Sequence, residues 1–163
     1  MEELLSTLQS LLSRHIGLHR QLLDLVRLEN EAIVQMNLKD IQEITFSKEA
    51  VINAIQNCEE QRKVVCGLLE VPALDNLILK LQDLGNSVLS EQFRTAYNTL
   101  RLLIEHISDQ NDQNKGLVEH SLTQIQSMKK NILGVSDAQN TTYTAHGQSH
   151  FEASRPRLIE QEA

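Results

Sequence analysis

The segment Leu89–Leu133, LSEQFRTAYNTLRLLIEHISDQNDQNKGLVEHSLTQIQSMKKNIL, decides the fold. Its apolar positions are Leu89, Phe93, Ala96, Leu100, Leu103 and Ile107, then Val118, Leu122, Ile125, Met128 and Ile132, with Asn111 and Asn114 between the two runs. Steps of three and four throughout are the signature of a helical seam that packs on other helices. No Pro interrupts it, and at ~1.5 Å per residue the helix spans roughly 65 Å. That length exceeds the core of a small globular domain. The sequence therefore predicts the long member of a bundle, covered in part by other helices and in part open to a partner.

Composition agrees. The 163 residues include 3% aromatics, no Trp, six Gly and two Pro, a profile of long helices without the punctuation that strands require. This size suits one domain, or one domain with a tail. A net charge of −7 argues against a nucleic-acid or acidic-membrane surface. No basic and apolar leader follows Met1, and no stretch approaches ~20 consecutive apolar residues, so neither a secretory signal nor a membrane span is expected. Cys58 and Cys66 lie ~12 Å apart along one predicted helix, too far to bridge. A reduced, cytoplasmic protein is the expectation.

Upstream of the long helix the sequence predicts a helical hairpin. The first helix, 2–36, repeats Leu4, Leu11, Leu18 and Leu25 every seventh residue. His15 and His19 interrupt that stripe four residues apart. Metal ligation is one reading of such a pair, but no acidic residue accompanies them in a metal-site pattern, and partly solvated packing residues are expected. Asn37 is the expected cap of a second helix, 38–69, with Asp40 in its first turn. Its seam runs through Ile41, Ile44, Lys48, Val51, Ile55, Cys58, Arg62, Val65 and Leu69. Lys48 and Arg62 are expected to lay their stems along the seam with their charges in water. Phe46 falls on the opposite face; a partner contact there is one reading, and cover by the long helix is the expectation.

Val71-Pro72 ends the hairpin. A short helix, 73–84, carries Leu74, Leu77, Ile78 and Leu81 back along the bundle, and Gly85-Asn86-Ser87 precedes the long helix, 88–133, with Ser87 as its expected cap. The predicted fold class is all-α: an antiparallel bundle of three long helices plus a short connecting helix over residues 1–134, followed by a mobile C-terminal tail, 135–163. Tyr143 stands alone among polar residues in that tail, as anchors of peptide motifs do.

Two readings of Asn111 and Asn114 stand side by side. Polar residues in a seam fix register; alternatively, this part of the seam is left open for a partner. No phosphate loop, no metal-spaced Cys pair and no nucleophile with a base in a recognisable pattern is present, so no enzyme, metal or cofactor is expected.

Three features together resemble the FlgN family. The second helix opens on Leu38-Lys39-Asp40 and continues through Thr45-Phe46-Ser47-Lys48-Glu49-Ala50 and Glu59-Glu60-Gln61-Arg62. Asn111-Asp112-Gln113-Asn114-Lys115-Gly116-Leu117-Val118 is similar to the family's pair of asparagines followed by aliphatics. Tyr143 with Gly147-Gln148 is similar to the family's tail motif, with Thr144 where the family often has Gly. The resemblance implies a cytoplasmic chaperone for flagellar type III export. Such a chaperone binds terminal amphipathic helices of hook–filament junction proteins, prevents their premature assembly and delivers them to the export-gate membrane protein. It implies cargo contact at Asn111, Asn114, Leu117, Val118, Leu122 and Ile125, and docking to the gate's cytoplasmic domain through Tyr143, Gly147 and Gln148. The alternative is a homo-oligomeric coiled-coil adaptor with no export role, and a homodimer of the cargo-free chaperone is also compatible with the open seam.

Overall fold

A computed structural model describes residues 1–71 and 73–133. Among the described residues four helices follow one another: α1, Glu2–Val34; α2, Leu38–Leu68; α3, Leu74–Asp83; and α4, Ser87–Leu133. The chain divides into two compact units, Met1–Val118 and Glu119–Ala163. The bundle belongs to the first, and the last turns of α4 to the second. The expected mobile tail lies outside the described residues.

One backbone motif ends α1, α2 and α3. At each end a residue in the left-handed region turns the chain: Met36 at φ 54°, Glu70 at φ 55° and Gly85 at φ 75°. Each donates its N–H to the carbonyl three residues back, and the following residue donates to the carbonyl five back. The latter bonds are Asn37 to Ala32 at 3.0 Å, Val71 to Cys66 at 3.1 Å and Asn86 to Leu81 at 2.9 Å. These paired bonds satisfy carbonyls that a helix end otherwise leaves open. Two of the following residues then start the next helix. The Asn37 side-chain oxygen accepts from the Asp40 N–H and that of Asn86 from the Leu89 N–H, each at 3.3 Å. The cap of α4 is thus Asn86 and not Ser87, because Asn86 is already placed by the bond to Leu81.

Packing follows the apolar stripes. α1 and α2 are antiparallel, tied where the Cys58 thiol meets the Leu11 carbonyl at 3.4 Å and where Lys48 meets Glu29 at 2.8 Å. α4 runs parallel to α1. Gln9 bonds Gln92 and Asn30 bonds Asn114, at sequence separations of 83 and 84, so that register sets Val34, the last residue of α1, level with Val118. A first core cluster joins Leu5, Leu8 and Leu12 of α1, Val65 and Cys66 of α2 with Leu69 just past its end, the buried face of α3, and Phe93 of α4. A second joins Leu22, Leu23 and Val26 to Val51 and Ile107. α3 closes the first cluster, and its Ile78 carbonyl accepts from the buried Ser90 hydroxyl of α4 at 3.2 Å.

Five side chains differ from the sequence-based expectation. Phe46 is 72% exposed and no helix covers it, because α4 packs on the face carrying Lys48 and Val51. Lys48 and Arg62 do not keep their charges wet. Their side chains are only 17% and 21% exposed, each against a carboxylate, Glu29 and Glu59 respectively. His15 and His19 are buried rather than partly solvated, since α1 presents its inner stripe to several helices at that level.

Phe93 is the largest of the fully buried side chains and belongs to the first cluster, to which all four helices contribute. Phe93→Ala is expected to lower stability by about 3–5 kcal/mol, read from urea unfolding followed by far-UV circular dichroism.

Candidate functional site

The α4 seam changes character at Asn114. Phe93 and Ile107 are buried and Leu89, Ala96, Leu100 and Leu103 half-buried. Asn111 is half-buried and Asn114 is 4% exposed. Beyond it every apolar seam residue faces solvent, from 49% exposure at Val118 through 54% at Leu122 and 56% at Ile125 to 79% at Ile132. The spacing of three and four does not change across that point, so the face is continued along α4 while its cover is not.

A polar layer marks the change. The Asn114 amide donates to the Val26 carbonyl at 2.9 Å and to Glu29 Oε2 at 3.0 Å. Its oxygen accepts from Asn30 Nδ2 at 2.8 Å and Gln110 Nε2 at 3.4 Å. An Asn side chain has two donors and two acceptor positions, and here all four are used. Glu29 Oε2 also accepts from Lys48 Nζ at 2.8 Å, and Lys48 reaches Asn111 Oδ1 at 3.5 Å. The layer therefore joins α1, α2 and α4 at one level. A half-buried ion pair beside satisfied amides fixes the relative heights of three helices, since a shift by one turn strands both a charge and an amide.

Each residue expected from the sequence has a clear place. Asn114 is held inside the bundle and Asn111 stands at its edge beside Lys48. Leu117, Val118, Leu122 and Ile125 are exposed. Tyr143, Gly147 and Gln148 lie outside the described residues. Sequence reasoning did not pick out Glu29 and Asn30 as partners of Asn114, or Lys48 as the partner of Glu29, although Glu29-Asn30 is a polar break in the α1 stripe between Val26 and Ile33 that could have raised the question. Met128 and Ile132 extend the exposed face beyond the expected contact set.

Among the described residues no group of three or more His, Cys, Asp or Glu is placed to hold a metal ion. No described helix is long and apolar enough to cross a membrane. What the face offers is apolar surface in a line, the complement of one side of an amphipathic helix.

A model of the FlgN protein family matches residues 1–150 of the chain. No curated protein and no solved structure matches it.

The two parts of the seam are expected to respond differently to truncation. Asn114→Ala leaves the Asn30 amide and the Val26 and Glu29 acceptors short of a partner and is expected to cost about 1–3 kcal/mol. Ile125→Ala is expected to stay within about 0.5 kcal/mol of the parent. Urea midpoints of the two variants check the contrast.

Proposed function

The chain belongs to the FlgN family of flagellar export chaperones, and from that premise we propose that it binds terminal amphipathic helices of hook–filament junction proteins in the cytoplasm. Held on the chaperone, such a helix is kept from premature assembly until it is delivered to the export gate. The observation that carries the reading is the apolar face of α4 from Leu117 onward, exposed although its spacing is that of a packed seam. Leu117, Val118, Leu122 and Ile125 are the contact residues. Asn111 and Asn114 border them, Asn114 from within the polar layer, and mark where cover from the chain's own helices stops.

Magnitudes favour a client that covers the face along its length. Association costs roughly 4–15 kcal/mol before any contact is counted, whereas one apolar side chain fully buried contributes ~1.5–3 kcal/mol. One residue cannot offset the cost, and several in line can. From Val118 to Ile132 the face extends ~21 Å at ~1.5 Å per residue, so a client helix of about four turns fits it. In this reading the chain acts by binding and not by catalysis, with no metal or cofactor. Tyr143, with Gly147 and Gln148, serves as the anchor for the cytoplasmic domain of the export-gate protein.

The test mixes the full chain with the C-terminal segment of a hook–filament junction protein and follows the mass by size exclusion with light scattering. A one-to-one complex is expected. Leu122→Glu and Ile125→Glu are each expected to weaken it roughly thirtyfold or more, with unfolding midpoints unchanged. A stable dimer of the chain that ignores the segment at tens of micromolar would instead favour the self-associating adaptor.

A further inference from the structure

Away from α4's exposed face, the four helices meet around His15. A cleft of about 490 Å³ is lined there by His15 and His19 of α1, Glu59 and Arg62 of α2, Asp75 of α3 and Tyr97 of α4, among apolar neighbours. The His15 residue is 5% exposed, and neither ring nitrogen has a hydrogen-bond partner in the protein. The charged and titratable groups that act on it are a second imidazole, a guanidinium and a carboxylate already paired with that guanidinium, while Asp75 and Tyr97 also line the cleft and neither bonds the ring. His19 uses Nδ1 on the His15 carbonyl at 2.9 Å and sets its ring edge-on to His15, with centroids 4.7 Å apart. Both Glu59 oxygens accept from the Arg62 guanidinium at 2.7 Å. An imidazolium at this place would carry two N–H donors with no acceptor, next to a second imidazole and a guanidinium.

We propose that His15 is an acid-sensitive latch: the junction of the four helices is closed while this imidazole is neutral, and proton uptake at the ring is coupled to opening of the cleft. Opening brings solvent to the ring and separates α3 and the first turns of α4 from the hairpin, because the first core cluster packs α3 and Phe93 against the same stretch of α1. The electrostatics agree in direction. Burial holds the His15 pKa below its ordinary 6.5, the neighbouring His19 and Arg62 add to this, and Glu59 opposes it.

The sign of the linkage follows. Above pH 6.5 His15 is neutral in the folded and unfolded chain alike and adds no pH dependence. Below it the unfolded chain takes up a proton that the folded chain resists, so stability falls from about pH 6.5 down to the depressed folded pKa. Glu59, held below the carboxylate value of 4.5 chiefly by the Arg62 hydrogen bonds, begins to contribute only under that value. The interval between 4.5 and 6.5 therefore isolates the histidine from that carboxylate.

Urea unfolding of the full chain at half-unit steps from pH 8 to pH 4.5 tests the latch against His15→Leu, with the other histidines common to both. The folding constant of the parent is expected to fall below pH 6.5 with an added slope approaching about tenfold per pH unit, and the variant to lack that added slope. A second readout does not depend on the variant folding: ring NMR titration of His15 in the parent and in Glu59→Gln. Its midpoint is expected below 6.5 in the parent and lower again in Glu59→Gln, where the opposing carboxylate is gone. Parallel stability profiles for parent and His15→Leu, or a His15 midpoint at or above 6.5, would overturn the proposal.

Discussion

Four hydrogen bonds at the Asn114 amide, with the Glu29–Lys48 pair beside them, decide where this bundle stops. Below that layer α4 is a packing element. Above it the same sequence pattern faces solvent. The layer does this through the asymmetry of buried polar chemistry: satisfied, it adds little net stability, but any register that separates its members leaves an amide and a carboxylate without partners. α4 is consequently held at one height against α1 and α2, and the seam residue at which cover ends is fixed with it.

The rest of the fold supports that height from the other end. Each of the three connections turns the chain through a left-handed residue, and in two of them the asparagine that completes the turn also caps the following helix. Helix end and helix start are thereby separated by a fixed few residues, with little freedom to slide. α3, too short to be stable alone, is held by the burial of Leu74, Leu77, Ile78 and Leu81 and by the Ser90 bond from α4. The α1–α2 hairpin turns between Val34 and Leu38, and the α4 seam residues from Val118 onward are exposed.

Much of this was legible in the sequence, for identifiable reasons. Spacing of three and four reports a packed helix face, and long runs without Pro report its length; both depend on local geometry alone. Asn37 announced its cap because a short polar side chain before an apolar run has few other uses. What spacing cannot report is who covers a face. Val118, Leu122 and Ile125 carry the same pattern as Phe93 and Ile107, and only three-dimensional register distinguishes them. The same limit explains Phe46, whose cover depends on which side of α2 receives α4, and Lys48, whose charge was placed in water because its partner lies nineteen residues away on another helix. Asn86 took the cap from Ser87 through a bond to Leu81 that belongs to the preceding turn. His15 was hidden for a further reason: burial against several elements is a property of the junction and of no single stripe.

The central claim is that one continuous helical seam is covered by its own chain up to Asn114 and by a client helix beyond it. Amide hydrogen exchange resolved along α4, with and without a junction-protein segment, measures this directly. The account predicts slow exchange from Phe93 to Asn114 in both states, with fast exchange from Val118 to Ile132 in the free chain that slows when the segment is added. Uniform protection along α4 in the free monomer, or protection by the segment that falls elsewhere and leaves Val118 to Ile132 unchanged, would contradict it.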